Sequence, residues 1–193
     1  MSGFCLLIDP RDKKYHINLS DDVENVKQGD IKAFERLFKR FFKDLVRFAY
    51  RYLNDIQLSE DTVQDVFYHI WKHRQSLDPS QNIKTYLYTA VKNRALNQIE
   101  RKKVAHRYTH SQIHLMNNQT TPEDKLKNKE LEENIHKAIQ KLPPKGRLIF
   151  CMNRFDRLTF TEIAEILEIS VKTVETHMSR SLKFLRKECS YLL

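Results

Sequence analysis

Lys172, Thr173, Thr176, Ser179, Arg180 and Lys183 fall on one side of a segment with helical periodicity, and no acidic residue interrupts the row. Glu175 sits at its margin. Hydroxyl donors near a helix N-terminus, with cations further along, suit the major groove of DNA and its flanking phosphates. A second group is Tyr86, Thr89, Asn93 and Asn97, flanked by Lys92, Arg94 and Arg101. Rings that stack bases, amides that bond base edges and cations that follow phosphates suit unpaired nucleic acid. Tyr86 by itself reads better as the lining of a small core. A third group is Asp61, Gln64 and Asp65, at i, i+3 and i+4. On a helix they share one face, which is either a docking surface for a basic partner or a solvated surface. No nucleophile stands beside a base, and no glycine-rich phosphate loop is present, so no catalytic residues are expected.

These side chains need helices to position them. Thr159 opens a capping box, T-F-T-E, in which its oxygen meets the amide of Glu162 and that carboxylate reaches back. A short helix follows that buries Phe160, Ile163, Ala164 and Leu167. Ser170 is a natural N-cap for the next helix, whose inner stripe is Val174, Met178, Ser181, Leu182 and Leu185. The pair is a helix–turn–helix with a DNA-reading second helix. Upstream, Asp30 can cap a long helix with the stripe Ile31, Phe34, Leu37, Phe38, Phe41, Leu45, Phe48, Ala49 and Tyr52. A second helix over 58–74 buries Val63, Val66, Phe67 and Ile70. After a loop broken by Pro79, a third runs from about Ile83 to the basic run Arg101, Lys102 and Lys103, burying Ile83, Leu87, Ala90, Val91, Ala95 and Ile99.

Between Val104 and Asn128 the apolar stripe disappears and polar residues accumulate, as in a linker. Periodicity resumes at Leu131, Ile135, Ala138, Ile139 and Leu142, stops at Pro143-Pro144, and returns with Leu148, Cys151, Met152 and Phe155. With only three glycines and five prolines, the chain is expected to be almost wholly helical. The expected fold is all-α: two small helical domains joined by a polar linker, the C-terminal one containing the helix–turn–helix. The divisions are an extension over 1–20, a first domain over 21–103, the linker over 104–128 and a second domain over 129–193.

A net charge of +9 and a pI near 9.4 bias the surface toward a polyanion. No apolar run is long enough to span a bilayer and no secretory signal is recognisable, so membrane insertion is not expected. Cys5, Cys151 and Cys189 are widely spaced and odd in number, which reads as reduced cytoplasmic thiols, with Cys151 a small core residue. His106, His110 and His114 would share a face if helical and could hold Zn²⁺ or Ni²⁺ weakly. Such a row in a basic linker is more often coincidence. His69 and His73 lack the Glu of a metalloprotease motif. Neither metal nor cofactor is expected.

From about Asp21 to Leu192 the chain resembles the extracytoplasmic-function sigma factors, the two-domain specificity subunits of bacterial RNA polymerase. The resemblance is carried by QGDIKAFERLFKRFFKDLVRFAYRYL, SEDTVQDVFYHIWKHR and IKTYLYTAVKNRALNQIERKK. A remote LPPKGRLIFCMNRFDRLTFTEIAEILEISVKTVETHMSRSLKFLR then follows in the right order. The resemblance implies that Asp61, Gln64 and Asp65 contact the clamp of core RNA polymerase. It implies that Asn93 and the loop 76–83 read the minus-ten element of promoter DNA as a single strand, and Tyr86, Lys92, Asn97 and Arg101, from the residue reading above, are expected to contact the same strand. Ser170, Lys172, Thr173, Thr176, His177, Ser179, Arg180 and Lys183 would read the minus-thirty-five element. An anti-sigma factor is the implied regulator.

Two positions depart from the family pattern. Glu168, between the helices of the reader, and Arg157, in the preceding bend, stand where glycine is usual. A left-handed backbone at a residue with a Cβ costs about 1–2 kcal/mol, so either these turns are strained or they take another geometry. One competing reading is a helix–turn–helix activator, because E-I-S-V-K-T-V-E-T-H also resembles the DNA-binding domain of two-component and quorum-sensing regulators. The N-terminal helices supply no receiver or ligand-sensing domain for it. A pure protein-interaction module would not need the outward Lys172–Thr176–Arg180 row.

Overall fold

A computed structural model describes residues 19–107 and 135–188, except the side chains of 103–107. Among the described residues no strand occurs. An N-terminal group comprises α1 (Leu19–Lys27), α2 (Ile31–Leu53), α3 (Ile56–Lys72) and α4 (Ile83–Arg107). A C-terminal group comprises α5 (helical over 135–140), α6 (Pro144–Arg154), α7 (Phe160–Leu167) and α8 (Val171–Glu188).

Local chemistry sets the helix ends. Asp30 caps α2 by accepting from the Lys32 amide at 2.8 Å, which satisfies a donor that the first turn would otherwise orphan. Asn54 ends α2 in the left-handed conformation, one of the few residues with a Cβ that adopt it readily. Asp55 then caps α3 through the Leu58 amide at 3.0 Å. Asn82 caps α4 by accepting from the Lys84 amide at 3.0 Å. Pro144 starts α6 where a missing N–H costs nothing.

In the N-terminal group, α2 packs against α1, α3 and α4. Phe34, Phe38, Phe67 and Trp71 form an aromatic cluster, with the Phe38 and Phe67 rings edge-on at 4.9 Å. In the C-terminal group, α6 crosses α8 closely: a Cβ on Gly146 would come within 2.9 Å of Ser181 Oγ. Only glycine facing a small residue permits that approach. The two groups are not separate in the described residues. One apolar core runs from Val23, Leu45, Phe48 and Val91 into Ile149, Leu158, Ile163 and Ile166, chiefly through α4 against α7.

Several expectations change. The helix α1 was not anticipated; it is held by the apolar Val23 and Val26 and by buried Asp22, which accepts from Arg36 Nε at 2.9 Å. Ile31 is 69% exposed, because it occupies the first position of α2, and Ala33 and Val46 join the buried side instead. Phe155 is 51% exposed, since it lies just past the end of α6, where Ile149 and Phe150 supply the core. The third expected helix continues beyond Lys103 to Arg107. Leu131, His110, His114, Cys5, Cys189 and most of the expected linker lie outside the described residues, as does the side chain of His106.

Candidate nucleic-acid interface

The reader of the C-terminal group forms as its sequence requires. Thr159 accepts from the Glu162 amide at 3.2 Å, and Glu162 accepts from the Thr159 amide at 2.7 Å, completing the capping box. Ser170 Oγ accepts from the Thr173 amide at 3.1 Å at the start of α8. Val174, Met178 and Ser181 are buried, which turns Lys172, Ser179, Arg180 and Lys183 to solvent. Ser170 is also exposed, and Thr173, Thr176 and His177 are half-buried along the same side. The Thr176 hydroxyl donates to the Lys172 carbonyl at 2.8 Å, so its proton is engaged within the helix and its oxygen is left as an acceptor. Lys172 also pairs with Glu175 at 3.2 Å, an exposed contact that costs little to exchange for a phosphate.

The α4 helix presents Tyr86, Asn93, Asn97 and Arg101 to solvent. Lys92 departs from the sequence reading. It lies on the other side of α4, buried, with its ammonium 2.6 Å from a Glu168 carboxylate oxygen. The physical reason is that α4 is covered on two sides, by α2 and α3 and again by α7. The loop before α4 is built by Asp78, which accepts from the Ser80 amide at 2.9 Å. Ser20 Oγ ties this loop to α1 by donating to the Pro79 carbonyl at 3.1 Å.

On α3, Asp61, Gln64 and Asp65 are all exposed. Asp61 accepts from Gln57 at 3.0 Å, and Asp65 from Arg94 of α4 at 2.6 Å with both side chains about half exposed. Tyr68, 65% exposed, extends the same face by one turn and was missed. Its position one residue after the buried Phe67 is the signal that could have found it.

Both departures from glycine are left-handed, Arg157 at φ 53° and Glu168 at φ 56°. Both also touch α4. The Arg157 carbonyl accepts from Lys84 Nζ at 2.8 Å, and Glu168 holds Lys92. Nearby, Asn82 donates to the Glu162 oxygen that the capping box leaves free, at 2.9 Å. Arg51 at the end of α2 forms a two-pronged pair with Asp156, one arm at 2.9 Å, and the Asp156 side chain is fully buried. Burial pushes the Asp156 carboxyl above its ordinary value, against the pull of Arg51. The hydrogen bond from Lys92 holds the Glu168 carboxyl below its ordinary value. For Glu162, burial acts upward but is outweighed by the Thr159 and Asn82 hydrogen bonds, and its carboxyl is also lowered.

Among the described residues no group of three or more His, Cys, Asp or Glu could hold a metal ion. None of the described helices is long and apolar enough to cross a membrane.

The Sigma-70 region 2 family model matches residues 37–105, and the Sigma-70, region 4 model matches residues 132–185. The chain is similar to the ECF RNA polymerase sigma factor SigW of Bacillus subtilis, 29% identical over 176 residues, covering 86% of this chain and 94% of the relative. It is similar to the ECF RNA polymerase sigma-E factor of Escherichia coli K12, 25% identical over 170 residues, covering 82% and 87%. A likeness of fold extends to the sigma factor RpoE of Bartonella quintana, solved in complex with the anti-sigma factor NepR. That match has a TM-score of 0.64 at 19% identity and covers 83% of this chain and 98% of that one. With the two region models matched in order over more than half the chain, and relatives aligned along nearly their whole length, this protein belongs to the extracytoplasmic-function sigma factors.

Proposed function

We propose that this sigma factor acts in the cytoplasm, docking on core RNA polymerase through Asp61, Gln64 and Asp65 of α3. The outward face of α8, from Ser170 to Lys183, reads the minus-thirty-five element as duplex. Asn93, Asn97, Tyr86 and Arg101 of α4, with the loop 76–83, capture the minus-ten element once it is melted. Lys92 joins them when its contact with Glu168 is released. The polymerase supplies the chemistry and this subunit supplies promoter recognition, so no catalytic group is required of it. An anti-sigma factor is its proposed regulator.

The observation that carries this reading is the uninterrupted row on α8, where capping and a one-sided core leave Lys172, Ser179, Arg180 and Lys183 facing solvent. The acidic and amide face of α3, in a chain of net charge +9, complements it as a surface for a different and basic partner.

Run-off transcription with purified core polymerase on a promoter pool tests the reading, with the products sequenced. Transcripts are expected to start downstream of a shared two-element sequence. Replacing Asp61, Gln64 and Asp65 together by Ala should abolish capture of core polymerase while leaving helix content intact, because exposed positions contribute little to the fold. Core binding retained by that variant would show that α3 is not the docking face. A helix–turn–helix activator would bind DNA but give no transcripts with core alone.

A further inference from the structure

We infer that the Lys172–Glu175 pair on α8 reads one base pair as a unit, Glu175 on the amine of a cytosine and Lys172 on the guanine opposite it. The inference rests on the assignment of α8 as the duplex-reading helix.

Glu175 is the only acidic residue over 170–187, a stretch with five lysines and arginines. It is exposed in the second turn of α8, and its carboxylate lies 3.2 Å from the Lys172 ammonium. The two side chains are 47% and 87% exposed, so their pairing adds little to the helix. On a helix that meets a polyanion, a carboxylate opposes binding to every sequence, because it repels the phosphates. It assists only where a base offers it a donor, and so it selects against the wrong base.

The neighbours leave this pair as the group that reaches out. Ser170 and Thr173 join their hydroxyls at 2.8 Å in the cap, and Thr176 gives its proton to the Lys172 carbonyl. Val174 and Met178 are buried. Lys172 and Glu175, with Thr176, Ser179 and Arg180, line an open hollow of about 330 Å³. The first turns of a recognition helix are the part that meets base edges.

The pair sets a donor and an acceptor side by side, and so does the major-groove edge of a base pair. In C·G, cytosine N4 donates to guanine O6, which places the two about 2.9 Å apart. Each keeps one hydrogen-bonding position toward the groove. The 3.2 Å between the Lys172 and Glu175 tips matches that spacing. A·T offers the same order, adenine N6 beside thymine O4, but fits less well. Adenine N7 sets a second acceptor against the carboxylate, and the thymine methyl stands where guanine N7 would give the ammonium a second acceptor. Reversing either pair sets carboxylate against carbonyl and ammonium against amine. The arrangement therefore selects C·G in one orientation.

The test uses the holoenzyme, the full chain with core polymerase. Run-off transcription is driven from promoters with a randomised upstream element, each identified by a barcode in its transcript. The parent is expected to favour cytosine at one position of one strand by roughly ten-fold over the other bases. Glu175→Ala should flatten that position, keep the preferences elsewhere and raise the relative output of mismatched promoters. Glu175→Gln should move the preference there to adenine, whose N6 and N7 an amide matches. Lys172→Ala should relax the same position, and combining it with Glu175→Ala should do no more there than either change alone. A parent with upstream preferences that Glu175→Ala leaves intact would overturn this inference and spare α8 as the reader. A parent without any upstream preference would overturn both. If Lys172→Ala instead lowers output on all sequences alike and shallows the salt dependence, its ammonium sits on a phosphate, and the paired reading is overturned.

Discussion

The helix α8 buries one stripe, Val174, Met178 and Ser181, and leaves its opposite side to solvent, whereas α4 buries residues around more than half of its circumference. Ile83, Leu87 and Val91 of α4 are buried in the shared apolar core, and Thr85, Tyr88 and Lys92 are buried as well. The difference follows from position: α8 lies at the edge of its group, and α4 is sandwiched between α2, α3 and α7. A helix at an edge can offer its polar side to a ligand without rearrangement. A sandwiched helix cannot expose a residue such as Lys92 unless a neighbour leaves. On the proposed assignment, the duplex-reading side of α8 is presented at once, whereas Lys92 on α4 is covered by the C-terminal group.

Removing Arg51 should break that asymmetry most strongly. Its partner Asp156 is fully buried at the junction of the two groups. Leaving a buried carboxylate unpaired costs about 3–5 kcal/mol, and separation of the groups relieves that cost by returning Asp156 to water. Arg51→Ala should therefore open the molecule, speed hydrogen exchange at the α4 amides that face α7, and leave duplex binding by α8 unchanged. Scattering should show a larger envelope. The pair Arg51→Met with Asp156→Leu should close it again, because an apolar pair of similar volume often replaces a buried ion pair without loss. If Arg51→Ala stays compact and exchange at α4 does not change, this pair does not hold the groups together and the contrast between the helices is overstated.

Arg180→Ala probes the other side of the comparison. Arg180 is exposed on α8. A bidentate arginine–guanine pair is worth about 1–3 kcal/mol of discrimination. The variant should lose that amount and relax preference at one position of the upstream element, equally in the parent and in Glu168→Gln. Affinities measured across a set of upstream-element variants will show it. A loss that appears only in Glu168→Gln would mean that α8, too, is masked in the closed molecule.

What the sequence revealed followed the same division. The caps at Asp30, Thr159 and Ser170 were legible because a cap bonds an amide two or three residues away, so both partners lie in one short window. The face of α8 was legible because burial on one side leaves a clean helical period. On α4 the second contact blurs that period, and Lys92 was read as a solvent-facing cation. The Arg51–Asp156 and Lys92–Glu168 pairs join residues 105 and 76 positions apart, which no local pattern encodes. The mostly polar α1 was missed because its stability comes from Val23, Val26 and the Asp22–Arg36 pair rather than from a long apolar stripe. At Arg157 and Glu168 the departure from glycine marked the turns correctly, and both are left-handed. The use of the Glu168 side chain against α4 emerges only when the two groups are seen together.

The smallest effects should come from single lysines, and they sharpen the comparison furthest. Lys183 is exposed one turn beyond Arg180, where a phosphate rather than a base edge is within reach. Lys183→Ala should weaken duplex binding about equally across sequences and shallow the dependence of affinity on salt by about one ion, a slope change near 0.9. Because α8 is open, this change should appear in the parent protein. For single-stranded DNA the corresponding change per phosphate is about 0.7. Lys92→Ala should produce almost none of it in the parent, where Glu168 already occupies the ammonium, and the full change in Glu168→Gln, where the ammonium is free. Titrations of the parent, Lys183→Ala, Lys92→Ala, Glu168→Gln and the Lys92→Ala, Glu168→Gln double variant over a range of salt concentrations provide the measurement. Equal salt slopes for Lys92→Ala in both backgrounds would mean that Glu168 does not compete with the strand, and that the two reading helices differ in burial but not in access to DNA.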